Sequence, residues 1–167
     1  MTRVFAYECY ADDDVFHFLK DECKLSLRSF HGFGQGEVVN AVFVRQTADI
    51  GMVDEDPFSS HHGERDRAQV VSTTNDLILC RQGSRHPIIV RPDLEECFLR
   101  SIKRVRFTSS LPQRASDLRA ILNIPSSPKH RVFRDELVAL YHESKKRTVG
   151  TFATDLEDTV RGLLEAS

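Results

Sequence analysis

A chain of 167 residues, 40% hydrophobic and 29% charged, can bury one substantial core but is too short for two large domains. No run approaches the roughly 18 apolar residues of a membrane span, and Met1-Thr2-Arg3 followed by a strand lacks a signal peptide's apolar region, so a cytoplasmic protein with no membrane partner is expected. The net charge of −2 conceals an asymmetry: residues 1–99 carry 10 Lys+Arg against 17 Asp+Glu, whereas residues 100–147 carry 12 against 4.

The apolar run Val4-Phe5-Ala6-Tyr7 predicts a first strand over residues 3–9, followed by a helix over 12–25. Asp12-Asp13-Asp14 can cap that helix, and Val15, Phe18, Leu19 and Cys23 keep helical spacing. A second strand near 27–31 leads into Gly32-Phe33-Gly34-Gln35-Gly36, a tight turn without the lysine of a phosphate-binding P-loop. Residues 37–45 read as a short helix, although Val38-Val39 and Val42-Phe43-Val44 weaken that reading by their β-branched content. A third strand over 49–54 precedes a polar loop at 59–67 that holds His61-His62. One or two strands follow in 68–80, with Asn75-Asp76 as a possible turn, then a strand at 86–90. Pro92 and Asp93 open a helix through about residue 105, and three more helices are expected at 112–123, 131–146 and 151–166. The cysteines Cys9, Cys23, Cys80 and Cys97 form no Cys-x-x-Cys pair and read as free thiols rather than a zinc site.

Two acidic groups close predicted strands: Glu8 with Asp12 after the first, and Asp54-Glu55-Asp56 after the third. Carboxylates are costly in a buried strand, so they belong at the C-terminal rim of a parallel sheet, where open α/β folds bind ligands. Converging carboxylates repel one another unless a cation joins them, and all-oxygen ligands point to Mg²⁺ or Mn²⁺. An acidic metal site beside a basic flank suits a polyanionic substrate. Arg91, Arg100, Lys103, Arg104 and Arg106 are the candidate nucleic-acid track, and one of Glu95 and Glu96 is a candidate for a second metal.

Glu8 after strand one, Gly32, Gly34 and Gly36 after strand two, and Asp54-x-Asp56 after strand three together resemble the Toprim domain. That module is shared by topoisomerases, bacterial primases and small nucleases, and the step from Glu8 to Asp12 is similar to the Glu-x-x-x-Asp of the OLD (overcoming lysogenization defect) nucleases. The family's frequent Gly after the Glu is replaced here by Cys9, and the final helices match no Toprim element. The resemblance implies a Toprim-like (Rossmannoid) α/β domain over residues 1–107, with a mainly parallel sheet flanked by helices. A helical extension over 108–167 would pack on it or on a partner. It further implies a nuclease, an effector of anti-phage defence, with Glu8, Asp12, Asp54 and Asp56 as metal ligands and Glu8 as general base or bridging ligand. Glu55 is expected to point away. A unit this small is expected to act as a homodimer or within a larger complex, with the stripe Phe152/Leu156/Val160/Leu163 either as the contact or packed on the chain's own α/β body. The alternatives are a catalytically degenerate Toprim assembly or regulatory subunit, and a phosphate-receiver-like signalling domain. The latter lacks the Lys-Pro pair that receivers carry after their last strand.

Overall fold

The computed structural model describes residues 2–55 and 67–166. Six described strands form one sheet: β1 (Arg3–Tyr7), β2 (Leu27–His31), β3 (Ile50–Asp54), β4 (Gln69–Thr73), β5 (Leu77–Arg81) and β6 (His86–Val90). Their order is β2-β1-β3-β6-β5-β4. The first four in that order are parallel neighbours, and β5 and β4 extend one edge antiparallel. Helix α1 (Tyr10–His17) connects β1 to β2 and α2 (Gln35–Val39) connects β2 to β3, as parallel pairing requires. Then come α3 (Leu94–Val105), α4 (Ala115–Leu122), α5 (Lys129–Arg147) and α6 (Phe152–Glu165). The chain is therefore α/β, with a mostly parallel sheet flanked by helices, as the sequence predicts.

Strand alternation divides the core in two. Phe5, Tyr7, Ile50, Met52, Ile88 and Val90 face a large core shared with α1, α3 and the three final helices. Ala6, Val53, Ile78 and Ile89 face a smaller one built with Val38, Ala41 and Val42. Both crossover helices widen into π-helical turns, at Phe18–Glu22 and Asn40–Val44. The second holds Val42-Phe43-Val44, so the β-branched run stays helical while its backbone pairs five residues apart, as in the 2.8 Å bond from Arg45 N–H to Asn40 O. Residues 68–80 resolve into the antiparallel pair β4–β5, and the turn between them contains Asn75 and Asp76.

The C-terminal helices are part of the same core. Phe133, Leu137, Leu140, Phe152, Leu156 and Val160 are buried with residues of β1, β3 and β6, and Leu163 packs half-buried against them. Of the two roles open to the stripe on α6, packing on the chain's own α/β body is the one observed, because the large sheet face needs more cover than α1 and α3 supply. The α6 start is also anchored, with Phe152 N–H donating to Ser101 Oγ of α3 at 2.9 Å. All four cysteines are free, and among the described residues no helix is long and apolar enough to cross a membrane.

The smaller core depends on a glycine. A Cβ on Gly51 of β3 would lie 2.6 Å from Val42 Cγ2, closer than any real contact, so α2 and its π-turn approach the sheet only because that atom is missing. Gly51→Ala is expected to cost about 1–3 kcal/mol through overpacking. Adding Val42→Ala should recover part of that loss in urea denaturation. A Gly51→Ala chain as stable as the parent would show that this contact yields freely.

Candidate functional site

The carboxyl ends of β1 and β3 are stapled together by side chains. Glu8, one residue past β1, accepts the Asp54 backbone N–H on Oε1 at 2.9 Å. Asp54 ends β3 and accepts the Leu94 N–H on Oδ1 at 3.0 Å, which places it at the N-terminus of α3. Its own carbonyl takes a 3.0 Å bond from Gln35 Nε2 of α2. Asp93 caps α3 by accepting the Glu96 N–H at 2.9 Å. A cleft of about 450 Å³ opens over this edge, lined by Glu8, Gln35, Asp54, Asp93, Glu95 and Arg119 among others.

The charge balance of that cleft is unusual. Burial, reinforced by Asp12, Glu8, Glu95 and Asp93, pushes the Asp54 carboxyl up to about 9. Burial and the neighbouring Glu8 push Asp12 up to about 7. Burial also raises Glu95, partly offset by Arg119. Arg119 supplies the opposing charge: its guanidinium lies 2.7 Å from Asp93 Oδ2 and 3.4 Å from Glu95 Oε2. Gln35 Oε1 is buried at the cleft and has no hydrogen-bond partner among the described residues, an acceptor free for a donor or a cation.

Of the expected ligands, Glu8 and Asp54 share this cleft. Asp12 stands behind it, 2% exposed, with Oδ2 accepting the N–H groups of Glu8 and Cys9 at 3.2 Å each. Its carboxylate thus closes a capping box at the start of α1, two residues earlier than the predicted helix. Asp56, His61 and His62 lie outside the described residues. Glu55 pairs with Arg91 at 3.0 Å instead of standing free in solvent. Glu95 lines the cleft, whereas Glu96 is engaged through its N–H with Asp93. Among the described residues, no group of three or more His, Cys, Asp or Glu side chains is arranged to hold a metal ion.

The basic track divides. Arg104 grips Asp76 with two bonds of 2.7 and 3.2 Å, and Arg100 reaches the same carboxylate at 3.3 Å while also donating to the Arg91 carbonyl. Asp76 is fully buried, so these arginines neutralise an interior charge. Lys103 and Arg106 are exposed beside them on α3 and its cap. Sequence reasoning missed Arg119, Asp93 and Gln35 as cleft residues. Asp93 reads as a helix cap, Gln35 as part of a turn, and nothing in the spacing of α4 singles out Arg119. No protein-family profile, curated protein or solved structure matches the chain.

Two outcomes follow from these charges. Arg104→Glu is expected to destabilise the fold by about 3–5 kcal/mol, because it removes the closer of the two cations on buried Asp76 and sets a like charge beside it, whereas Lys103→Glu should leave the denaturation midpoint unchanged; equal effects would mean that Asp76 is not held by Arg104. The second concerns pH. Asp54 and Asp12 keep protons in the folded state that an unfolded carboxyl, near 3.8, has already released. Their stabilising share is therefore complete below about pH 4 and is lost as pH rises through 7 and then 9. Without divalent cations, the thermal midpoint should fall from pH 6 to pH 9 by about 3 °C or more. Asp54→Asn, which keeps the acceptor for Leu94 N–H, should flatten that slope. A parent slope of zero would contradict it.

Proposed function

We propose that this chain is a divalent-metal-dependent hydrolase of nucleic-acid phosphodiester bonds, with a Toprim-like arrangement of its carboxylates. One observation carries the reading: Glu8 and Asp54, at the ends of paired parallel strands, face a common cleft in which burial first, and then the neighbouring carboxylates, push the Asp54 carboxyl up. The donors are hard oxygens, and Mg²⁺ is commonly held by only one or two protein carboxylates with water and substrate phosphate completing its shell. Glu8, Asp54 and the buried Gln35 Oε1 fit that chemistry. A bound Mg²⁺ or Mn²⁺ would polarise a phosphoryl oxygen and acidify a bound water.

The chain's own residues divide the remaining work. Glu8 takes a proton from the attacking water, the water's oxygen bonds to phosphorus, the phosphorus–oxygen bond to the leaving group breaks, and the leaving alkoxide takes a proton from solvent. Arg119, 43% exposed at the cleft, exchanges part of its contact with Asp93 and Glu95 for the substrate phosphate. Lys103 and Arg106 offer further phosphate contacts along α3. A homodimer or larger assembly would widen the surface presented to a duplex, as would befit an anti-phage effector. A second reading, a non-catalytic assembly or regulatory subunit, is favoured by one fact: Arg119 already neutralises the cleft's acidic wall from within.

The test is cleavage of single- and double-stranded DNA and RNA with Mn²⁺. Asp54→Asn and Glu8→Gln should each lower the rate by about 100-fold or more. Mn²⁺ should raise the thermal midpoint of the parent but not of Asp54→Asn. Cleavage that survives both substitutions places the chemistry elsewhere. A parent that neither cleaves nor responds to Mn²⁺ favours the non-catalytic reading.

A further inference from the structure

Beside the cleft, a graded ladder of rings runs from the core to solvent. Tyr7 of β1 is buried and stacks on His31 of β2, with centroids 5.1 Å apart and planes at 30°. His31 stacks in turn on Phe33 at 5.4 Å and 25°. Tyr10 meets the edge of His31 at 5.3 Å and approaches His130 of α5 at 6.5 Å. The outer rungs are open: Phe33 is 84% exposed and Tyr10 39%.

An exposed phenylalanine held in a stack by neighbouring rings presents a flat apolar face, which water solvates poorly and a nucleobase covers well. The loop bearing it is bound to the site. Gly32 N–H donates to Tyr7 O at 2.8 Å and Gly34 N–H to Glu8 O at 3.4 Å, and Gly34 itself lines the cleft. Phe33 therefore stands one residue in sequence from Gly34 of the cleft wall. Next to His130, the first turns of α5 add Lys129 and Arg131, the latter 90% exposed, where a phosphate backbone could run.

We propose that Tyr10, His31 and Phe33 form a stacking platform for the bases of single-stranded nucleic acid and deliver that strand to the cleft. The delivery rests on the hydrolase reading; the binding does not. Only an unpaired strand fits, because bases within a duplex already stack on one another and cannot lie flat on Phe33. The platform thus selects single-stranded DNA or RNA by the shared chemistry of an unstacked base, and the aromatic ring supplies the recognition.

The experiment measures binding in EDTA, where no metal-dependent cleavage can occur, by fluorescence anisotropy. The probes are labelled oligo-dT and oligo-U of about 12 nucleotides, within the span of single-strand sites, and a DNA duplex of the same length. Phe33→Ala and Tyr10→Ala should each weaken single-strand binding by about five- to thirtyfold and leave duplex binding unchanged. Phe33→Tyr should bind like the parent and Phe33→Leu like Phe33→Ala. Unchanged thermal midpoints will confirm that the Phe33 variants fold. A Phe33→Leu chain that binds like the parent would make this a general apolar contact, as for a protein partner, and overturn the platform. A parent that binds no single strand would overturn it as well. If binding depends on Phe33 but Mn²⁺ never elicits cleavage, the hydrolase reading fails and the platform stands. If the parent cleaves while its single-strand affinity ignores Phe33, the platform fails and the hydrolase reading stands.

Discussion

The bond from Asp54 N–H to Glu8 is the constraint on which the carboxyl edge of this sheet depends. A parallel sheet leaves the last backbone groups of each strand without ladder partners at that edge. Here side chains take their place: Glu8 receives the end of β3, Asp54 receives the start of α3, and Gln35 donates to the end of β3 from α2. The first two of these bonds each draw a carboxylate inward. The acidic cleft is therefore a product of how the strands are terminated, and its mutual repulsion is the cost of that arrangement. Helix α3 eases part of it, because its N-terminal dipole faces Asp54 and Asp93.

The same logic binds the C-terminal helices to the body. Asp14, 2% exposed on α1, lies 2.6 Å from His130 and 2.8 Å from Arg134, both on α5. Glu157 of α6 is held by Lys145 at 2.9 Å and Arg161 at 2.6 Å. Asp76, in the β4–β5 turn, is held by α3. Buried ion pairs contribute little net stability, but removing one partner is costly. They act as register pins, fixing where each helix lies on an apolar surface that would otherwise tolerate sliding. Much of the basic excess in the second half of the chain is spent in this way, which is why a regional charge balance overstates the surface left for a polyanion.

What was legible in the sequence was its apolar patterning. The unbroken run Val4-Phe5-Ala6-Tyr7 marks a strand with two covered faces, and the helical spacing of Val15, Phe18 and Leu19 marks α1 and the turn that continues it. Strand-end carboxylates were readable too, since chain order alone places Glu8 and Asp54 at one edge of a parallel sheet. The rest is set by long-range partners. Arg104 and Arg119 are alike in sequence, yet one meets a buried turn 28 positions away and the other a cap and a cleft wall. Asp12 accepts the N–H groups of Glu8 and Cys9 at the start of its own helix, whereas Asp54 accepts that of Leu94, 40 positions away. Local pattern carries no signal for such choices.

The loop after β2 joins these threads. Gly34 holds φ at +104°, a left-handed region that favours glycine, and its residue is the cap from which α2 begins. That single conformation does three things at once. It turns the chain so that Gln35 reaches the end of β3, it lays the backbone against Glu8, and it projects Phe33 outward beside His31. A buried Phe33 would be the ordinary outcome for so apolar a side chain. The turn instead fixes an aromatic ring in water at the rim of an acidic cleft, so the geometry that completes the carboxylate site also creates the exposed face beside it.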